Sequence, residues 1–240
     1  MTDHILSVRG LTKAFDAVVV ASDIDFDVRQ GEVLGVIGPN GAGKTTLFGM
    51  LSGHIRPSAG ELTFEGNSIT DLAPYQRARA GIGRTFQVPR PFGHMTVEDN
   101  LRVCAVFAGK EKSRDAGPLI DRVLATTGLA SHRDMLASHL PLLLRKRLEL
   151  AKALAMKPRL LLIDEVAAGL TDSEVSEFID IVKSVRDSGI SVVWIEHVIR
   201  TMMTATDRLM VLDQGRILAI GDPQDVMKQP EVRRVYLGSE

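Results

Sequence analysis

Residues Gly38, Pro39, Asn40, Gly41, Ala42, Gly43, Lys44, Thr45 and Thr46 run consecutively and match G-x-x-x-x-G-K-[ST] without a mismatch. Glycines at this spacing let successive backbone N–H groups turn inward as an anion nest. A helix that starts directly afterwards adds its partial positive charge. Lys44 then reaches β- and γ-phosphates, and the Thr45 hydroxyl is a ligand for Mg²⁺. The apolar run Val33-Leu34-Gly35-Val36-Ile37 before the loop and the helical stretch Thr45 to Leu51 after it supply the strand–loop–helix context that the motif requires. The pattern predicts a nucleoside triphosphate site.

A second chemical group follows more than a hundred residues later. Leu160-Leu161-Leu162-Ile163 ends in Asp164-Glu165. An apolar strand closing on acids presents a magnesium ligand beside phosphates. Asp164, the first acid, is the expected metal ligand, and Glu165 is placed to polarise an attacking water as general base.

The elements that must hold these groups alternate in type. Strands are expected over Ile5 to Val8, Val18 to Val20, Ile24 to Val28 and Val33 to Ile37. Leu62 and Phe64 alternate as in a half-buried strand after the turn Pro57 to Gly60. A helix-rich middle runs from about Val97 to Met156, and strands return at Leu160 to Ile163 and Ser191 to Glu196. Between those strands, Val175, Phe178, Ile179, Val182 and Val185 form one apolar helical stripe, opened by a Thr171/Glu174 capping box and closed by Gly189. Leu209 to Leu212 and Ile217 to Ile220 flank Asp213 to Arg216 as a hairpin.

Composition narrows the function classes. With 240 residues and 45% hydrophobic content, the chain suits one domain with a substantial core. A formal charge of −1 gives no bulk attraction to nucleic acid. The lone Cys104 excludes an internal disulfide framework and suits a reducing compartment. The N-terminal stretch has no basic segment followed by a long apolar one, so no signal peptide is expected. No window approaches the roughly 18 apolar residues of a membrane span.

In this order the motifs resemble the ATP-binding subunits of ABC transporters, and the resemblance covers essentially the whole chain. Gly83-Arg84-Thr85-Phe86-Gln87 is similar to the family's Q-loop, which implies that Gln87 senses Mg²⁺ and the lytic water and faces a transmembrane partner. Ala168-Gly169-Leu170-Thr171-Asp172 resembles the D-loop, with Asp172 at the inter-subunit position. Ile195-Glu196-His197 resembles the H-switch, whose histidine contacts the γ-phosphate, and Phe15 sits where the family stacks an aromatic ring on adenine. Read without the family, Phe15 is equally a core residue beneath the first sheet. Within the family, GIGRTFQVPRPFGHMTVEDNL, WIEHVIRTMMTATDRLMVLDQGRILAIGDP and the ending PEVRRVYLG resemble the ATPases of branched-chain amino acid uptake systems.

The resemblance implies an α/β P-loop NTPase core with an N-terminal antiparallel β-subdomain and a helical subdomain inserted at about residues 88–155. It implies ATP and Mg²⁺ as cofactors and integral-membrane permease subunits as partners. It also implies a second ATPase subunit, an extracytoplasmic solute-binding protein acting indirectly, and a location on the cytoplasmic face of the cell's inner membrane. No nucleic-acid partner is expected. The basic residues Arg77, Arg79, Arg84 and Arg90 are read as solvated or as lining the permease contact.

One departure is large. Where the family carries LSGGQ, this chain reads Leu140-Pro141-Leu142-Leu143-Leu144, followed by Arg145-Lys146-Arg147. In the family, this segment of one subunit completes the ATP site of the other through a serine hydroxyl and glycine N–H groups. Pro141 supplies neither donor, and the leucines bring side chains where close backbone approach is needed. Each charge-assisted bond lost is worth roughly 1.5–3 kcal/mol, so losing two weakens closure about a hundredfold or more. The expectation is a heterodimer with one competent and one degenerate site. A homodimer, with the Arg145-Lys146-Arg147 run supplying replacement phosphate contacts, stays open, as does a branch-wide divergence of the segment. Val166, where the family usually has proline, is a smaller departure. Two other classes are weighed, a soluble ABC-fold ATPase not coupled to transport and a P-loop metabolite kinase. The Q-loop, D-loop and H-switch order counts against the kinase.

Overall fold

Short apolar runs that stop at acids or glycines become fully buried parallel strands, because both faces of such strands are covered. The computed structural model describes residues 4–237; Met1, Thr2, Asp3 and the Gly238 that closes the PEVRRVYLG ending lie outside them. In chain order the elements begin with β1 (His4–Phe15), β2 (Val18–Arg29), β3 (Val33–Ile37), α1 (Lys44–Ser52), β4 (Ala59–Phe64), β5 (Asn67–Ser68) and α2 (Pro74–Ala80). There follow β6 (Ile82–Arg84), α3 (Val97–Phe107), α4 (Gly117–Thr126), α5 (Leu142–Ala155), β7 (Leu160–Asp164) and α6 (Asp172–Asp187). The chain continues through β8 (Ser191–Ile195), α7 (Ile199–Ala205), β9 (Arg208–Asp213), β10 (Arg216–Gly221), α8 (Pro223–Lys228) and α9 (Pro230–Leu237). They fall into two compact units, residues 1–77 with 191–240, and residues 78–190.

In the first unit, β2-β1-β4-β5 form an antiparallel sheet, and β10, β9, β3 and β8 lie side by side in that order. β3 is parallel to both neighbours, with Val36 opposite Ile195 and Ile37 opposite Val211. β1 and β2 make a longer hairpin than the apolar pattern suggests. The reason is a set of register shifts between Val8 and Leu11 and beyond, where Gly10 takes a φ of 56°. A bulge of this kind inserts a residue and breaks the two-residue alternation that reveals a strand. The β9–β10 turn passes through Gln214 and Gly215, at φ 45° and 78°, the paired left-handed conformation of a tight hairpin.

In the second unit, β6 and β7 pair in parallel, with Arg84 opposite Leu162. Helices α3, α4 and α5 fill the stretch between them in sequence, with no strand there. The α6 capping box is present, with Thr171 accepting from the Glu174 N–H and Glu174 reaching back, and Phe178, Ile179, Val182 and Val185 are buried while Val175 is half-buried. Burial pushes the Cys104 thiol up to about 11, so it stays protonated at neutral pH. No helix among the described residues is long and apolar enough to cross a membrane.

Of the four arginines read as solvated or as lining the permease contact, Arg79 and Arg90 are exposed, and Arg77 and Arg84 need correcting. Arg77 is 1% exposed, and its guanidinium donates to the carbonyls of Met50, Leu51, Thr70 and Leu72. It therefore closes the C-terminal, electronegative end of α1 and ties the 70–72 loop to it. Burial pushes its pKa down to about 10, which leaves it charged at neutral pH. Arg84 is also withdrawn from solvent, in an ion pair described below. An isolated run of basic letters carries no burial signal, and the fourfold carbonyl match that pulls Arg77 inward exists only in the folded chain. Arg77→Ala orphans these carbonyls and is expected to lower stability by about 3 kcal/mol or more, measured by denaturant unfolding. A loss below about 0.5 kcal/mol, the size of an ordinary surface change, contradicts the capping role.

Candidate nucleotide site

The phosphate loop grows directly out of β3. Gly38 is buried against the β9–β10 hairpin, where a Cβ would stand 2.3 Å from the Leu212 carbonyl oxygen. Gly41 and Gly43 take φ of 83° and 99°, and α1 starts at Lys44 with Gly43 as its N-terminal cap. A Cβ on Gly43 would lie 2.7 Å from the Val20 carbonyl oxygen of β2. The loop is further fixed by the Gly215 N–H donating to the Ala42 carbonyl, 3.1 Å. Lys44 is buried, and its ammonium donates to the carbonyls of Gly38 and Pro39 at 2.7 and 3.0 Å. It is thus held over the loop it belongs to. Thr45 is exposed and Thr46 half-buried at the start of α1, and Asn40 is exposed at the loop's crest.

Parallel register brings another predicted residue to the same sheet end. The Glu196 N–H donates to the Val36 carbonyl, so β8 stops level with β3 and His197 follows on the side where the loop begins. His197 is exposed, and its Nδ1 lies 3.9 Å from the fully buried Glu196 carboxylate. Phe15 stands at the tip of the β1–β2 hairpin, 45% exposed, with the Lys13 ammonium 4.8 Å from its ring centroid. It does not pack beneath the sheet. The same hairpin supplies the Val20 carbonyl that backs Gly43.

In the second unit, the strand ends again collect the chemistry. Asp164 is buried at the end of β7, and Arg84 donates to its Oδ2 at 3.0 Å. The Thr85 hydroxyl accepts from the Asp164 N–H. One residue on, Glu165 has a φ of 41°, left-handed backbone that an ordinary side chain adopts only under constraint. Its carboxylate accepts a hydrogen bond from the Gln87 amide. Gln87 and Glu165 are therefore brought together, as are Asp164 and an arginine that sequence reading had placed in solvent. Asp172 is exposed at the first turn of α6. Asp164, buried, and Thr45, exposed, each carry a hard oxygen donor. Among the described residues, no group of three or more His, Cys, Asp or Glu could hold a metal by itself. Single oxygen donors of this kind suit Mg²⁺, which keeps its waters and shares a nucleotide's phosphates.

The divergent segment leads into α5, with Pro141 at the cap position and no side-chain cap bond. The basic run behind it is already engaged. Arg145 donates to the carbonyls of Leu140 and Ser138, Lys146 to those of Val166 and Ala168, and Arg147 pairs with Glu177. These bonds count against the run as a substitute phosphate clamp. Two contributors escaped sequence reading. Arg84 was hidden because its partner is 80 residues away, and Lys146 because it sits in a run of basic residues.

A family model described as ABC transporter matches residues 21–168. The chain is 35% identical to the high-affinity branched-chain amino acid transport ATP-binding protein LivG of Salmonella typhimurium, across 99% of each. It is 36% identical to the lipopolysaccharide export system ATP-binding protein LptB of Acidithiobacillus ferridurans, across 99% of this chain and 98% of that one. Among solved structures, the ADP conformation of an ATP-binding cassette of an ABC transporter matches with a TM-score of 0.90 at 28% identity, covering 99% of this chain and all of that one. A nucleotide-free ATP-binding cassette from an ABC transporter matches with 0.89 at 27% identity, covering 98% and 100%.

Gly43→Ala forces a Cβ toward Val20 and removes the left-handed cap. We expect at least about tenfold weaker binding of a fluorescent ATP analogue with unchanged far-UV circular dichroism, since the anion nest depends on that backbone turn. Wild-type affinity in this variant would separate the glycine from nucleotide binding.

Proposed function

Because the chain belongs to the ABC transporter family, we propose that it is the ATP-hydrolysing subunit of an importer for branched-chain or related amino acids, driving separate permease subunits from the cytoplasmic face of the membrane. The observation that carries this reading is the end-to-end likeness to LivG, joined to a phosphate loop and acidic strand that keep every chemical group the reaction needs. The likeness to LptB favours export as a second reading. The ending PEVRRVYLG, with its resemblance to branched-chain uptake ATPases, favours import.

In this mechanism the Phe15 ring stacks on adenine, while the backbone N–H groups of Gly41 to Thr45 and the positive end of α1 hold the phosphates. Lys44 exchanges its loop carbonyls for phosphate oxygens. Thr45, Asp164 and Gln87 would hold Mg²⁺, which would supply positive charge to the phosphate oxygens. Glu165 accepts the proton of the attacking water, and the Gln87 amide, bonded to that carboxylate, keeps it aimed. His197 donates to the γ-phosphate, and Asp172 faces the second ATPase. Residues 88–155, read as the helical subdomain, carry closure to the permease.

Pro141 and Leu142 to Leu144 offer the opposite subunit no hydroxyl and no glycine backbone. We propose a heterodimer in which this chain's own loop is completed by a partner bearing an intact signature, while the partner's loop receives the poor one. The pair then hydrolyses ATP at one site.

Two measurements test the proposal. The isolated chain is expected to turn over ATP about a hundredfold or more slowly than the pair with its partner ATPase, the ratio set by two lost charge-assisted bonds. A homodimer turning over at the pair's rate removes the heterodimer. In proteoliposomes with its permeases, ATPase activity should rise with a leucine-loaded binding protein and with no lipid substrate. Stimulation by lipopolysaccharide alone would favour the export reading instead.

A further inference from the structure

Helix α5 carries three buried charged residues in one i, i+3 row: Lys146, Glu149 and Lys152. Buried charges are costly unless each head group is matched. Here each is matched to the backbone of a segment that bears a reactive side chain. The Lys146 ammonium donates to the carbonyls of Val166 and Ala168, the first and third residues after Glu165. Further along the helix, Glu149 accepts from the Arg90 N–H at 3.0 Å, Lys152 donates to the Arg90 carbonyl at 2.7 Å, and the two pair at 3.1 Å. Arg90 lies three residues beyond Gln87. One helix thus grips the chain just past Gln87 and just past Glu165, and those two side chains bond to each other. Leu142, the first residue of α5, packs against Gly169, where an added Cβ would stand 3.2 Å from its Cδ2.

We infer that Lys146 is a positioning residue for hydrolysis. By holding the Val166 and Ala168 carbonyls it fixes Glu165 in its left-handed conformation within reach of Gln87, while the Glu149–Lys152 pair fastens the Gln87 segment to the same helix. The segment that no longer serves an opposite nucleotide is thereby turned inward, onto the loop behind this chain's own base. The inference deepens the proposed function and rests on Glu165 acting as the base.

The test uses Lys146→Met, Lys146→Arg and Glu165→Gln in the ATPase assembly as it purifies from cells. Lys146→Met is expected to lower kcat about tenfold or more with KM for ATP within about twofold, because misaiming a base costs turnover rather than ground-state binding. Lys146→Arg, which keeps a charged donor, should recover kcat to within about threefold of wild type. A folded Lys146→Met with kcat within about twofold of wild type overturns the inference, and so does a KM that rises in step with the loss of kcat. If Lys146→Met is insoluble, hydrogen exchange in the wild type decides. Amides 166–170 exchanging at least about a hundredfold slower than an unfolded chain support the brace, and unprotected exchange overturns it. Glu165→Gln separates the two readings. Wild-type turnover in that variant removes the base assignment itself, whereas a dead Glu165→Gln beside a normal Lys146→Met removes the brace alone.

Discussion

The chemistry of this chain depends on where its buried parallel strands stop. With both faces of these strands covered, a slip in pairing would misfit packed side chains on either side. β3 is therefore locked to β8 and β9, and β6 to β7. The residues just past these ends inherit that precision. Gly38 and His197 follow β3 and β8, and Gln87 and Glu165 follow β6 and β7. Function at the carboxyl ends of such strands is the general rule of open α/β sheets.

Much of this was legible in the letters because the determinants are local. A phosphate loop needs glycine at positions where φ is positive, and Gly41 and Gly43 occupy them. The α6 capping box is a three-residue signal, and its stripe is a helical period. The strands β3, β7 and β8 are unbroken apolar runs ending at polar residues. What stayed hidden was non-local or too short. β6 spans three residues and leaves no period to read. The β1–β2 hairpin was cut short by its bulges. Arg77, Arg84 and Lys146 looked like surface cations because nothing in a linear sequence announces four carbonyls, a distant aspartate, or two carbonyls behind a base.

The divergent segment before α5 gains a different meaning when its neighbours are considered. A basic run of this kind would ordinarily be a solvated face. Instead Arg145, Lys146 and Arg147 are each bonded to protein oxygens, and Leu142 lies over Gly169. The stretch has a structural occupation inside its own subunit.

The Arg84–Asp164 pair has a consequence for how the protein lives between turnovers. Two adjacent acids at a buried strand end repel each other, and many cation sites built that way loosen when the cation departs. Here a guanidinium stands beside the first acid as a built-in counter-ion. The charge on this carboxylate is thus balanced from inside the fold, and the strand end keeps its shape without borrowing charge from outside.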